Sequence, residues 1–276
     1  MQIQETSGTG EEFTLAPVAS TLGYRLKVFP SVGSTNAEAI QSALNGDQGL
    51  HWFVTTSQKS GKGRRGRSWT APDGNLAATL LLIDEFEPAS AATLGFVAGL
   101  ALADAVEAIL PQGVANPVKL SLKWPNDLLL NDAKLSGILL ESALLQGRKI
   151  ALAIGMGTNV VGVPEGLPST AASLREFGCT RDAAALFLAL SDAWCHYYRL
   201  WDGGNGLAAI RSEWLKKAYR LGEPVAIRFN ERIVEGLFET IDSECRLVIR
   251  EDDGICTTIT AGDVYFGNAA SVKASY

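Results

Sequence analysis

Residues 90–110 read as one long helix that is apolar on nearly every side, and no other stretch restricts the fold as much. A helix without a polar face has to be buried all round, in a protein core or in a membrane. Gly95, Gly99, Asp104 and Glu107 break the run before it reaches the roughly 18 continuous apolar residues of a membrane span, and Pro111 ends it. The helix is therefore expected to lie against a sheet in a soluble core, and the rest of the chain must supply that sheet.

Residues 52–56, 76–83, 118–123, 127–130, 134–144 and 149–154 are rich in apolar and β-branched side chains and are expected as strands. Short turns at Pro125-Asn126, Asn131-Asp132 and Gln146-Gly147 make most neighbours antiparallel. Three further helices are expected: 37–44, capped by the hydroxyls of Ser34-Thr35-Asn36; 181–201, stopped by Gly203-Gly204; and 207–220, stopped by Gly222. After Gly222-Glu223-Pro224 only strands follow, at 225–229, 233–240, 246–250, 255–260 and 264–266, which predicts a small closed β-barrel without exposed edges. The fold class is α+β, a mostly antiparallel mixed sheet backed by helices with a small C-terminal β-barrel. The expected divisions are a flexible tail over 1–20, a main domain over 21–221 and the barrel over 222–276.

A net charge of −6 argues against a nucleic-acid partner, which calls for a basic surplus. The first twelve residues have no basic start followed by an apolar core, so no secretory signal is expected. Cys179, Cys195, Cys245 and Cys256 lack CxxC spacing, and His51 and His196 stand apart from any ligand pattern. Reduced thiols, a cytoplasmic setting and no structural metal are the expectation.

Against that acidic background, Lys59, Lys62, Arg64, Arg65 and Arg67 place five of the 24 basic residues within nine positions. Their mutual repulsion is relieved when an anion binds. Gly61, Gly63 and Gly66 let backbone amides approach a ligand, guanidinium groups offer forked donors, and Trp69 offers a face for an adenine. The alternative is a solvated basic hairpin tip. Gly61-x-Gly63-x-x-Gly66 also satisfies the dinucleotide fingerprint, with Asp84 further on. Pro72 and Asp73-Gly74, however, leave no room for the helix that a Rossmann unit needs there. No Walker-type Gly-Lys-Ser/Thr is present either, so an anion-binding loop of another kind is required.

Lys123-Trp124-Pro125-Asn126-Asp127 sets a cation, an aromatic ring and polar groups at a strand junction, where turn chemistry alone is the competing explanation. Lys134-Leu135-Ser136-Gly137 opens an apolar strand with a lysine, which either snorkels or meets an anion. Gly155-Met156-Gly157-Thr158-Asn159 adds glycines for close approach and an amide side chain. Neither histidine lies near a nucleophile motif, and paired acids such as Asp84-Glu85 are expected in solvated turns. Cations and glycines, not acid/base pairs, dominate the candidate site, which suits nucleotide-dependent acyl activation by charge stabilisation and positioning.

Taken in order with Gly33-Ser34-Thr35-Asn36, Gln58 and the basic loop through Trp69, these motifs closely resemble the biotin–protein ligases over residues 28–160, and the last strands resemble that family's C-terminal domain. The resemblance implies a class II synthetase-like catalytic domain with an SH3-like barrel. Ser34, Thr35, Asn36 and Gln58 would bind the ureido ring of biotin. Gly61, Lys62, Gly63 and Arg64 would wrap its carboxylate and the adenylate phosphate, while Gly137 and Gly155 would leave space for the bicycle. Arg65, Arg67, Trp69, Lys123, Asn126, Asp127 and Asn159 would belong to the ATP side, and Lys134 and Arg64 would be catalytic, neutralising charge at the reacting carboxylate and phosphate. The implied co-substrates are ATP with Mg²⁺, and the implied acceptor is the biotin carboxyl carrier domain of a carboxylase. DNA and membrane are not expected as partners, and a homodimer is left open.

Two departures bear on this. Lys62 stands where the family more often has arginine, so a charge is kept but a bidentate fork is lost. Only 33 residues precede Ser34, too few for the DNA-binding domain of the repressor members, so a monofunctional ligase is expected. The alternatives are a lipoate or octanoate ligase, whose arginine-and-triple-glycine loop is absent, and a non-catalytic biotin sensor, against which an intact Lys134 and basic loop argue.

Overall fold

The long apolar helix spans Pro88–Ile109 at the centre of the structure, a computed structural model that describes residues 12–111, 118–164, 166, 170–229, 232–260 and 262–266. By length and composition this helix would be able to cross a membrane, but 78% of its most apolar window is buried inside the fold. In chain order the elements begin α1 (Pro17–Thr21), β1 (Arg25–Val28), α2 (Thr35–Leu44), β2 (His51–Thr55), β3 (Gly61–Lys62), β4 (Ser68–Trp69), β5 (Leu76–Asp84) and α3 (Pro88–Ile109). They continue with β6 (Leu120–Lys123), β7 (Asp127–Leu130), β8 (Ala133–Leu144), β9 (Ile150–Thr158), α4 (Ala183–Trp201) and α5 (Leu207–Lys216). The last five strands are β10 (Pro224–Phe229), β11 (Arg232–Ile241), β12 (Leu247–Arg250), β13 (Cys256–Ile259) and β14 (Asp263–Phe266).

Seven strands form the main sheet in the order β1-β2-β5-β9-β8-β7-β6, antiparallel throughout except for the β1–β2 pair. Side chains alternate across it with the period of two that a strand imposes. Trp52, Val54, Leu80, Leu82, Leu152 and Ile154 join the large core formed with α3 and α4. Phe53, Leu81, Ala151 and Ala153 face the other way and meet Ala39 and Ala43 of α2. A β-carbon on Gly99 would come within 3.3 Å of a Leu122 methyl, so the glycine is what lets α3 lie this close to the sheet.

The loose tail expected over 1–20 is not what residues 12–20 show; residues 1–11 lie outside the described ones. Phe13, Ala16 and Ala19 are buried, Phe13 meets the Phe187 ring edge-on at 5.8 Å, and the Ala16 amide donates to Ser191 Oγ at 2.9 Å. Three apolar side chains spaced by three suffice to seat this short segment on α4. The helix expected to reach 220 ends at Lys216, because the Leu122 amide donates to the Lys217 carbonyl and the Tyr219 amide to that of Leu122. β9 runs four residues beyond the expected end at 154, through the glycine-rich segment to Thr158.

The position of α2 is fixed by the turn that follows it. Asp47 accepts from Ser42 Oγ at 2.7 Å, His51 Nδ1 at 2.7 Å and the Gly49 amide at 3.0 Å, and it also pairs with Arg25. Burial pushes its carboxyl up, but the bonds from His51, Ser42, Gly49 and Arg25 outweigh that and hold it well below the usual carboxylate range. A depressed native value stabilises the fold above the ordinary value of 3.8 and ceases to do so as pH falls from there towards the native value. Asp47→Asn is therefore expected to lower the melting temperature by roughly 2–4 °C at pH 7, with the gap to wild type closing below pH 4; calorimetry across that range checks it.

The C-terminal strands form an antiparallel sheet in the order β13-β12-β11-β10-β14, with a bulge between Phe238 and Thr240. Val225, Ile227, Phe238, Ile241, Leu247, Ile249 and Ile259 fill its inside, as in an SH3-like barrel. The expected hydrogen-bonded closure is not found: among the described residues β13 and β14 remain at opposite ends of the ladder. Trp124 Nε1 donates to the Cys245 carbonyl at 3.1 Å, and Arg211 bonds the Ile241 carbonyl and Thr240 Oγ1, so the small sheet is bolted to the main domain beside the β6–β7 turn.

Candidate active site

Strand register creates a strip of minimal side chains on the α2 face of the sheet. Ala77, Gly157, Gly137 and Asp127 occupy one cross-strand row, and Phe53, Thr79, Gly155 and Leu139 the next. Where the strip lacks side chains, other elements fold over it. A β-carbon on Gly157 would come within 2.5 Å of Trp69 Cε2, and one on Gly155 within 2.3 Å of Asn36 Oδ1. The indole and the carboxamide thus sit directly on backbone, and a cavity of about 960 Å³ opens between them.

One end is made by the start of α2. Ser34 caps the helix, its Oγ accepting from the Ala37 amide, and Thr35 and Asn36 point down at the sheet. Gln58 Oε1 accepts from the Thr35 amide at 2.9 Å, and Asn36 Nδ2 donates to Glu141 Oε2 at 2.8 Å. Thr79 Oγ1 lies 2.7 Å from both Thr35 Oγ1 and Asn36 Oδ1.

The basic glycine segment is a hairpin of β3 and β4. Arg64 reaches across the cavity to Asn126 Oδ1 at 3.3 Å and to the Gly262 carbonyl of the small domain at 3.4 Å. Asn126 is itself oriented by donating Nδ2 to the Ile138 carbonyl at 2.7 Å. Lys134 Nζ pairs with Asp127 Oδ1 at 2.7 Å and stands 5.7 Å from the Trp69 ring centre. Five cations line the cavity, Lys62, Arg64, Arg67, Lys123 and Lys134, against the single carboxylate of Asp127 among its described wall residues. In a chain of net charge −6, that local surplus is suited to an anion.

Of the residues expected here, Ser34, Thr35, Asn36, Gln58, Lys62, Gly63, Arg64, Arg67, Trp69, Lys123, Asn126, Asp127, Lys134, Gly137, Gly155 and Asn159 all line this one cavity. Gly61 and Arg65 do not. Gly61 is covered by the Gln58 side chain and the Trp69 carbonyl, where it gives room for both, and Arg65 occupies the exposed tip of the turn in a left-handed conformation with φ 56°. Two of these residues also meet protein groups. The space over Gly155 is filled by Asn36, and Asn159 donates Nδ2 to the Ala172 carbonyl at 3.1 Å, so it ties the end of β9 to the next segment.

Several contributors had no separate signal. Asn75 looks like turn chemistry after Asp73-Gly74, yet it is buried and its Oδ1 accepts from the amides of Val160 and Val161 at 2.8 Å, holding the chain that follows the cavity residue Asn159. Thr79 and Glu141 read as ordinary strand residues. Gly262 and Val264 come from the small domain and meet the wall only through the tertiary fold. Gly157 lay within a recognised motif, but its partner Trp69 is 88 positions away.

A cationic, glycine-floored cleft between a mixed sheet and a small barrel suits a ligand that carries carboxylate or phosphate groups. Residues 28–159 match the Biotin/lipoate A/B protein ligase family and residues 221–267 the Biotin protein ligase C terminal domain. The chain belongs to the biotin–protein ligase family. It is 40% identical to the biotin–[acetyl-CoA-carboxylase] ligase of Paracoccus denitrificans, over 85% of this chain and 97% of that one. It is 30% identical to the bifunctional ligase/repressor BirA of Escherichia coli, over 90% of this chain and 75% of that protein. The biotin protein ligase of Aquifex aeolicus in complex with biotin and ATP superposes with a TM-score of 0.73 at 26% identity, covering 88% of this chain and 99% of that one.

Proposed function

We infer that the protein activates biotin with ATP and transfers it to a lysine of a biotin carboxyl carrier domain. The observation that carries this is the wall of the cavity: five cations and one carboxylate around a floor of glycines, with amide and hydroxyl groups gathered at one end. The polar end, formed by Ser34, Thr35, Asn36 and Gln58, suits the ureido ring. The Trp69 indole and the Lys134 ammonium come next and suit the carboxylate. Arg64, Lys123, Asn126 and the Gly262 carbonyl lie beyond and suit the nucleotide.

In the first step a biotin carboxylate oxygen attacks the α-phosphorus of ATP, the bond to the bridging oxygen breaks, and pyrophosphate leaves. Lys134 and Arg64 offset the charge that gathers at phosphorus. In the second, the acceptor amine attacks the carbonyl carbon of the mixed anhydride, AMP departs and the amine gives up a proton. Mg²⁺ is assigned to the nucleotide as MgATP; no three acidic, histidine or cysteine side chains gather as ligands among the described residues. We assign the catalytic role to residues 21–221 and the closing of the nucleotide end to residues 222–276. The enzyme is placed in the cytoplasm, acting on a carrier protein and not on DNA or a membrane.

Exchange of labelled pyrophosphate into ATP tests the reading. It is expected to require biotin and to show no stimulation by lipoate or octanoate, because neither acid carries groups for the amides and hydroxyls of the ring end. Equal stimulation by lipoate would overturn the substrate assignment.

A further inference from the structure

Asn36 lies directly on Gly155 of the glycine floor, and the direction of its carboxamide is set from outside the cavity. Its nitrogen faces two groups that only accept, Glu141 Oε2 at 2.8 Å and the Leu139 carbonyl at 3.3 Å. Its oxygen must then be the atom directed at Thr79, which has a single proton to give. Thr79 therefore donates to Asn36 Oδ1, and the 2.7 Å contact between the two threonine hydroxyls can form only if Thr35 donates to Thr79. Thr35 Oγ1 also lies 3.2 Å from Gln58 Oε1, but with its one proton given over the shorter contact to Thr79 it does not donate there; Gln58 Oε1 is held by the Thr35 amide, and Gln58 Nε2 is left above Gly61 as a donor. An inverted Asn36 would reverse each hydroxyl in turn and direct the Thr35 proton back at Gln58.

We propose that Glu141, which does not line the cavity, is a positioning residue that sets the hydrogen-bond polarity of the ring pocket by fixing Asn36. Strand register places it for this. Glu141 pairs with Ala153 one row beyond the Leu139–Gly155 row, on the face of the sheet that carries α2. The carboxylate is suited because it has no donor and so admits one orientation of the amide. The proposal rests on the reading of this end as the pocket for the biotin ring, and it names a residue through which that pocket recognises a ligand with fixed donors and acceptors.

Biotin-dependent pyrophosphate exchange by the full-length protein decides it, with KM determined separately for biotin and for ATP. Glu141→Ala is expected to raise KM for biotin by about 10–100-fold, the range of a lost hydrogen bond to a charged group, with KM for ATP within about twofold of wild type. Glu141→Gln retains a carbonyl oxygen to accept from Asn36, and the Leu139 carbonyl still admits only the Asn36 nitrogen, so this variant is expected to stay within about threefold of wild type. Thr79→Val keeps the shape and breaks the next link, and is expected to match Glu141→Ala. An unchanged biotin KM in both Glu141→Ala and Thr79→Val would overturn the proposal. So would a Gln variant as impaired as the Ala variant, or a parallel rise in KM for ATP, which would mark Glu141 as a general prop of the fold. Wild-type exchange that did not depend on biotin would sink the reading of the site itself, and the proposal with it.

Discussion

Lys134→Ala is expected to slow biotinyl-adenylate formation by at least ~100-fold in a single turnover, on the scale of removing one preorganised charge from a transition state. Lys134 is the second residue of β8, and its ammonium stands in the cavity wall 5.7 Å from the Trp69 ring centre and 2.7 Å from Asp127. Two effects of its removal have to be separated. Loss of the positive charge weakens stabilisation of the pentacoordinate phosphorus, while the stranded Asp127 carboxylate adds repulsion of its own. The double variant Lys134→Ala/Asp127→Asn distinguishes them: recovery to within tenfold of wild type would assign the loss to the carboxylate. We expect no such recovery, and a near-normal rate in the folded single variant would return Lys134 to a purely structural ion pair.

Gly155→Ala is expected to raise KM for biotin by about 100-fold, since it breaks several hydrogen bonds at once. The added methyl would lie 2.3 Å from Asn36 Oδ1 and 2.9 Å from Cγ, too close for any rotation of the amide to relieve. Backbone movement is resisted on both sides, because Gly155 is paired with Thr79 on β5 and with Leu139 on β8. Asn36 must swing away and lose its bonds to Thr79, Leu139 and Glu141 together. Gly33→Ala is the control: a β-carbon there meets nothing within 4 Å, and its KM is expected within about twofold of wild type. Steady-state exchange kinetics of both variants make the comparison, and equal KM values would show that the Asn36–Gly155 contact is dispensable.

How far the site is legible in the sequence depends on the range of the contact. Capping at Ser34, the glycine hairpin and the Lys134 strand are local patterns, and each appears where those patterns put it. Gly61 and Arg65 show the limit of such reading. A glycine in a basic loop looks like room for a ligand, yet at Gly61 the room is used by Gln58, and an arginine at a turn tip points where the turn directs it. The large helix follows from a sustained apolar composition that needs burial nearly all round, and the antiparallel strands from apolar runs bounded by turn residues. β1 does not, as Arg25–Val28 is an edge strand with mostly exposed side chains and no apolar alternation to report it. Glu141, Thr79 and Gly262 matter through register and docking, which no local window records.

The bond from Arg64 to the carbonyl of Gly262 joins residues 198 apart. On a ribosome, the hairpin and the floor of the cavity emerge and can pair long before residue 262 has been added. During that interval the cleft holds its cations but lacks its far wall, so a nascent chain has no finished chamber in which to retain a reactive anhydride. Completion of the chamber thus waits on β14, the last of the described strands, and a chain that stops before it lacks the wall residues Gly262 and Val264.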